Sequence, residues 1–366
     1  MDQADLDRLL ILLSQLDGSD LLIKAGASPR MRVQGLLRTL STEPAFTPED
    51  TATVAESIMS PHMAAIFERR HEVDFAYSVR DVGRFRANAY LQRGTVALVF
   101  RRVRPVPGTA EELGLPPSVY QLADEARGLV LVTGPTGSGK TTTLASMIDH
   151  INRTRACHIV TIEDPIEYLH RDRMSAVDQR EVGFDSESFE SAMRVVLRQD
   201  PDVILVGEMR DPETAEAALK AAETGHLVLT TLHTINVTET INRVVDFFPP
   251  HHQAQIRISL SGSLRGTVAQ RLVRRADGTG RTPALEIMVT NGRIRQCIVD
   301  PEQTSDIEMI VAEGEYYGMQ TFDQSLAQLL QEGVITVQEA LATSSNPHDL
   351  RVMLERRGLV RAGRGS

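Results

Sequence analysis

Apolar positions recur along the first hundred residues at two periods. Leucines over residues 6–16 fall at helical spacing, and the run stops at Asp17-Gly18, where glycine accepts a left-handed cap. Short β-like pieces follow at residues 20–24 and 30–37, punctuated by Gly26, Pro29 and Gly35. Val54, Ile58, Met63 and Ile66 predict a helical segment over residues 48–70. Residues 73–79, 84–91 and 95–103 alternate like antiparallel strands, with turns at Asp81-Val82-Gly83 and Gln92-Arg93-Gly94.

The pattern changes after residue 104. Pro105, Pro107, Gly108, Gly114, Pro116 and Pro117 interrupt any regular element and mark residues 105–118 as a linker. Beyond it, strands read as unbroken apolar runs, at residues 128–133, 157–162, 203–206 and 227–232. Helical segments alternate with them, among them residues 189–198 and 212–223. Continuous apolar strands alternating with helices predict a parallel sheet covered on both faces. From about residue 290 the chain reads as helical, and it ends in an arginine-rich tail over residues 351–364. The predicted organisation is a small α/β domain over 1–104, the linker, and a second α/β domain over 119–366.

Composition narrows the class. The 366 residues are 42% hydrophobic and 24% charged, enough to bury a substantial core. Thirty-nine basic against 49 acidic residues leave a net charge of −10, which argues against a general nucleic-acid binder. Asp2, Asp5 and Asp7 precede the apolar stretch at 9–13, where a signal peptide has basic residues, so an amphipathic helix is expected there. Cys157 and Cys297 are too few for a four-thiolate zinc site and read as small apolar residues of a reducing cytosol. Lysines occur only at 24, 140 and 220.

One of those lysines closes a strong motif. Gly134, Pro135, Thr136, Gly137, Ser138, Gly139, Lys140 and Thr141 form the phosphate-loop pattern, with Thr142 continuing into a helix and an apolar strand leading in. Glycines let successive N–H groups turn toward phosphate oxygens, and the helix N-terminus adds its positive end. Lys140 supplies a charge for the β- and γ-phosphates of ATP, and the Thr141 hydroxyl is placed to ligate Mg2+.

Three further clusters border the apolar strands, and in open α/β sheets ligands bind outside the carboxyl ends of strands. Thr161-Ile-Glu-Asp-Pro-Ile-Glu167 brings Glu163 and Asp164 there, either to polarise an attacking water or as a solvated acidic turn. Asp202-Val-Ile-Leu-Val-Gly-Glu208 resembles a Walker-B strand whose carboxylate stands one residue late, with Gly207 in the usual place; Glu208 reaches Mg2+ through water or is a surface acid. His226 and His233 flank the strand at 227–232; their odd spacing puts them on opposite faces, so a shared metal is not expected. Each is a structural histidine or a contact to the γ-phosphate. Arg84, Arg86, Arg101 and Arg102 alternate with apolar residues in the first domain, as a solvated sheet face or as forks completing a phosphate site from outside.

Taken in order, these residues resemble the secretion ATPases of type II secretion and type IV pili, and within them the pilus retraction ATPases of the PilT/PilU group. The resemblance runs through Ser19-Asp-Leu, Arg84-Phe-Arg, the phosphate loop, residues 161–167, 200–211, 225–234 and 242–246, Gln270-Arg-Leu-Val273 and Gly318-Met-Gln-Thr-Phe-Asp323. It implies a PAS-like N-terminal domain joined to a RecA-like P-loop ATPase domain with a helical C-terminal part. It also implies a homo-hexamer at the cytoplasmic face of the inner membrane that acts on a membrane platform protein alongside related pilus motor ATPases. The late position of Glu208 then becomes a family feature. Glu163 takes the role of general base, His233 that of a nucleotide-state contact, and the four arginines that of fingers reaching ATP.

Two segments depart from the group pattern. Leu22 stands where the family often has histidine, and residues 293–300 match the retraction group's C-terminal motif only at Ile294, Arg295 and Ile298. The sequence after Val273 lacks the tetracysteine zinc subdomain of extension and secretion ATPases, which favours retraction; an accessory PilU-like role or an assembly or secretion ATPase is the alternative. A GTPase switch is excluded, because none of the three lysines has aspartate two residues on, as guanine recognition requires.

Overall fold

Leu6, Leu9, Leu10 and Leu13 are fully or almost fully buried in a computed structural model of the chain, which describes residues 3–105 and 108–360. They form the inner stripe of the helix Gln3–Gln15, which packs with the helix Pro48–Ile58 on one face of an antiparallel sheet. The sheet order is Leu36–Thr39, Arg30–Val33, Gly18–Lys24, Thr95–Arg102, Gly83–Gln92 and Glu72–Val79. Period-two alternation sends Phe85, Ala87, Leu98 and Phe100 into this core and the intervening arginines outward.

Two elements differ from the sequence expectation. The segment 48–70 is two helices, Pro48–Ile58 and Pro61–Arg70, because Ser60 caps a new start with its side chain accepting from Met63 N, and Pro61 has no N–H to continue the first helix. The piece 30–37 is a hairpin: Gln34 and Gly35 both have positive φ, 51° and 79°, the geometry that reverses a twisted ladder in two residues.

The chain divides into two compact units, Met1–Pro105 with Glu167–Leu169, and Val106–Ile166 with His170–Ser366. In the first, Tyr168–Leu169 pairs in parallel with Arg104–Pro105. The stretch read as a linker carries a short helix at Ala110–Leu113, and Pro117 opens the helix Pro117–Ala123 at its first turn, where a missing N–H costs nothing.

The second unit holds a seven-stranded sheet in the order Ala176–Glu181, His158–Glu163, Val203–Val206, Leu227–Leu232, Gly128–Thr133, Leu264–Arg274 and Arg281–Val289. All pairings are parallel except the last. Gly128–Thr133 and Leu227–Leu232 are buried at every position, with Leu129 and Leu131 in one core layer and Val130 and Val132 in the other. That is the strand pattern of a RecA-like sheet with helices on both faces. Three of the seven strands escaped the sequence expectation. Ala176–Glu181 is a polar edge strand, while Leu264–Arg274 and Arg281–Val289 interleave arginine, threonine and proline among their apolar positions. Phe322–Gln331, Val337–Thr343 and Pro347–Arg356 close the C-terminal part around Phe322, Leu326, Leu350 and Leu354.

Candidate nucleotide-binding site

The carboxyl edge of the second sheet collects the candidate residues. Gly128–Thr133 delivers the chain into Gly134, and the loop ends where the helix Lys140–Thr154 begins. Gly134, Gly137 and Gly139 have φ of 141°, 79° and 93°, values that side chains rarely adopt, so the loop curls only with glycine there. The Lys140 ammonium is buried and donates to the carbonyls of Gly134 at 2.8 Å and Pro135 at 3.2 Å. Thr141 and Thr142, at the helix start, are half-buried.

The cradle fits a phosphate. Ser138 Oγ is buried without a hydrogen-bond partner among the described residues, an orphan at the centre of the loop. A Cβ at Gly137 meets no atom within 4 Å, so the tip faces open space, and Pro135, Thr136 and Gly137 are exposed. The orphan hydroxyl and the lysine stand together at a helix N-terminus, a combination suited to an anion.

Next to it, Glu208 follows the strand Val203–Val206. A Cβ on Gly207 would sit 3.2 Å from the Ile162 carbonyl and 3.3 Å from Glu163 Cα, so a side chain there would crowd the neighbouring strand. Gly207 N donates to Ile162 O at 2.7 Å, and Thr231 Oγ1 donates to Gly207 O at 2.7 Å, so neighbouring strands pin this turn from both sides. Glu208 Oε2 meets Arg210 Nη2 at 2.7 Å and its Oε1 meets His233 Nε2 at 3.0 Å. Burial pushes the Glu208 carboxyl upward, but Arg210, with His233 and Lys140, outweighs it and holds the group below its usual range. Arg210 also faces Asp164 at 3.8 Å.

Glu163 ends the strand His158–Glu163 and is buried. Thr161 Oγ1 donates to its Oε1 at 2.7 Å and Gln179 Nε2 at 3.1 Å, so the carboxylate is aimed by its own strand and by the edge strand. His226 lies on the opposite edge of the sheet from His233, its Nδ1 2.9 Å from Ala221 O, where it fastens the end of the helix Pro212–Glu223. His226 thus contacts the helix Pro212–Glu223 and His233 the acidic cluster.

The four arginines belong to the first unit. Arg86 and Arg101 are direct cross-strand neighbours, and both are exposed. Arg101 Nε pairs with Asp20 Oδ1 at 2.9 Å, and Arg102 Nη1 with Asp17 Oδ1 at 3.0 Å. Arg86 makes no ion pair among the described residues, and Arg84 is half-buried.

Residues 98–342 match the profile of the family described as type II/IV secretion system protein. The chain belongs to this family. Among its relatives, the type IV pilus ATPase PilU of Pseudomonas aeruginosa is 41% identical over 351 residues, covering 96% of this chain and 91% of that one. The type IV pilus retraction ATPase PilT of the same organism is 43% identical over 345 residues, covering 94% and 99% respectively. A crystal structure of the pilus retraction motor PilT with bound ADP superposes with a TM-score of 0.85 at 45% identity, covering 96% of this chain and all of that one. The chain is therefore an α/β secretion-family ATPase of the PilT/PilU group.

Sequence reasoning missed several residues that shape this site. Arg210, Thr161, Gln179 and Gln270 touch the predicted residues; Arg210 and Thr161 each lie two residues from a motif carboxylate, whereas Gln179 and Gln270 come from other strands. Among the described residues no helix is long and apolar enough to cross a membrane.

Proposed function

We propose that this protein is an ATP-driven motor that assembles as a homo-hexameric ring and powers type IV pilus retraction. Its ring would sit peripherally at the cytoplasmic face of the inner membrane and act on a membrane platform protein. The observation that carries the reading is the convergence of the orphan Ser138 hydroxyl, Lys140, Glu208 and His233 on one edge of the sheet, in a chain similar over nearly its whole length to PilT and PilU.

The residues divide the work by position. The loop N–H groups and Lys140 bind the phosphates, and leaving its two carbonyls lets the ammonium follow the γ-phosphate as charge develops there. Thr141 and Glu208 would hold Mg2+, Glu208 through water, and the ion would supply positive charge against the phosphates. Glu163, aimed by Thr161 and Gln179, orients the attacking water and takes its proton. His233, bonded to Glu208, registers the state of that carboxylate for the helix Val237–Asp246 that follows. Arg84, Arg86, Arg101 and Arg102 would complete the site of a neighbouring subunit.

The similarity to PilU supports a second reading, an accessory ring with little turnover of its own. Steady-state ATP hydrolysis by the purified chain, with surface pili scored in a deletion strain, tests both. Turnover together with excess, non-retracting pili supports the motor. Absent turnover supports the accessory ring, and loss of pili indicates assembly and overturns retraction.

A further inference from the structure

The strand Leu264–Arg274 lies between the phosphate loop and the C-terminal helices and serves them with opposite faces. Gln270 is buried; its Nε2 donates to the Ser138 carbonyl at 2.7 Å and its Oε1 accepts from Thr143 Oγ1 at 2.7 Å. One carboxamide thereby ties the tip of the loop to the first turn of the helix behind it. The loop is also packed against that carboxamide, since a Cβ on Gly139 would fall 2.7 Å from Gln270 Nε2. Because side chains alternate along a strand, Arg271 points the other way. Its guanidinium stacks over Phe322 with 4.1 Å from Cζ to the ring centroid. The same group donates from Nη1 to Thr343 O at 2.8 Å and from Nη2 to Ser345 Oγ at 2.8 Å. Ala269 and Val273, on the Arg271 face, belong to the core of those C-terminal helices.

We propose that Gln270 is a positioning residue for the phosphate loop and that Arg271 couples its position to the C-terminal helices. Nucleotide binding then tightens those helices, and their packing in turn sets nucleotide affinity. The reasoning is geometric: any shift of the loop toward a phosphate pulls Ser138 and Thr143 together on Gln270. A strand hydrogen-bonded on both edges passes that pull to its next residue rather than absorbing it. Coupling between the two ends is reciprocal by thermodynamic necessity. The guanidinium is held between a ring and two helix-end acceptors, so it reports displacement of the strand with little slack.

The inference rests on the nucleotide-binding reading, and two measurements on the full chain separate the failure of each. The first is ADP affinity by equilibrium binding, with melting temperature and the kcat and KM for ATP, in wild type, Gln270→Leu and Gln270→Glu. Gln270→Glu keeps the acceptor for Thr143 but loses the donor to Ser138, so it carries the test if the leucine variant does not fold. Misplacing a phosphate cradle by a fraction of an ångström is expected to weaken ADP binding about tenfold and lower kcat at least as much, at a near-normal melting temperature. The second is hydrogen exchange in Phe322–Gln331 and Val337–Thr343 with and without ADP. Wild type is expected to gain protection on binding ADP, and Arg271→Met to lose that gain while remaining folded.

A wild type that binds no ADP overturns the nucleotide reading itself. A wild type that binds ADP while both Gln270 variants bind it within twofold overturns the positioning role. ADP-independent exchange in the wild-type helices, or an unchanged response in Arg271→Met, overturns the coupling.

Discussion

His233 Nε2 lies 3.0 Å from Oε1 of Glu208, so the imidazole of one strand end is bonded to the carboxylate of the next. The carboxylate only accepts, which fixes the proton on Nε2. With Arg210 on the other oxygen at 2.7 Å, Glu208 is clamped from two sides. On the proposed reading, a cation held at Thr141 would draw on Glu208 and load the His233 contact, which stands four residues before the helix Val237–Asp246.

Arg210 is expected to set the acid limb of activity. It does most to hold the Glu208 carboxyl low against the opposing effect of burial. A carboxyl with a lowered pKa stays ionised, and keeps its contribution, until the pH falls through the folded value. Arg210→Ala removes that support, so the acid limb of kcat/KM should move to higher pH, while the alkaline limb stays. Superimposable pH profiles for wild type and variant would contradict this role.

Lys140 and Glu208 should each be indispensable for turnover. Lys140→Ala removes the buried ammonium from the loop, and loss of a comparable electrostatic contact costs ~10²-fold or more in rate. Glu208→Gln is isosteric and should leave the fold intact while weakening its bonds to Arg210 and His233. ATPase rates within about threefold of wild type in both variants would sink the assignment.

Glu163 tests the identity of the base. Glu163→Gln retains an oxygen to accept from Thr161 and Gln179, so geometry is kept and basicity lost. ATP affinity should remain near normal while single-turnover hydrolysis slows about 10²-fold or more. A parallel fall in affinity would make Glu163 a binding residue instead.

Glu286 gives the fold a pH dependence of its own. Burial raises its carboxyl from 4.5 to about 7, although Val237 N donates to Oε2 at 2.8 Å. The folded state then holds a proton that the unfolded chain releases, so stability falls as pH rises from about 4.5 to about 7. A shift of that size corresponds to about 3 kcal/mol across the window. Glu286→Gln keeps the acceptor for Val237 and removes the titration, so its melting temperature should gain on wild type as pH rises through that interval. Parallel melting curves across the interval would show that Glu286 does not titrate there.

What was legible in the sequence follows from where the information lies. The phosphate loop, Glu163, Glu208 and His233 are local signals: each needs one strand end or one helix start, and apolar runs announce those. Two of the partners that orient them were not legible, because Gln270 and Gln179 act through pairings between strands separated in sequence, whereas Arg210 lies two residues from Glu208 and carries no local signal of its pairing. Gln270 is 132 residues from Ser138, and no local period records that contact. The strand Leu264–Arg274 was missed for a related reason. It is buried between two layers, yet its arginines and glutamine find partners across those layers, so it lacks the apolar signature of its neighbours. The break between Ile58 and Pro61 was local and readable in principle, since Ser60-Pro61 is a helix-start signal inside an apolar period that runs on.

The ring reading makes its sharpest prediction at the arginines. On the outer face of the first sheet, Arg32, Asp20, Arg101 and Arg86 form one cross-strand row. Asp20 neutralises part of it through Arg101 at 2.9 Å and Arg32 at 3.6 Å, and Arg102 is paired with Asp17. Arg86, directly opposite Arg101 and exposed, makes no ion pair among the described residues, which leaves its guanidinium available to an anion. If these side chains complete a neighbour's phosphate site, Arg86→Ala should lower turnover more than Arg101→Ala or Arg102→Ala, without loss of thermal stability. Mixing supplies the decisive measurement. A Lys140→Ala subunit is inactive at its own loop but carries intact arginines. Adding it to Arg86→Ala subunits should restore part of the lost turnover, because a head-to-tail ring places donor and loop on different chains. Specific activity should also fall steeply on dilution as completed sites dissolve. Full activity from a demonstrated monomer, or mixed rings no more active than the Arg86→Ala subunits alone, would remove Arg86 from the site and the ring from the mechanism.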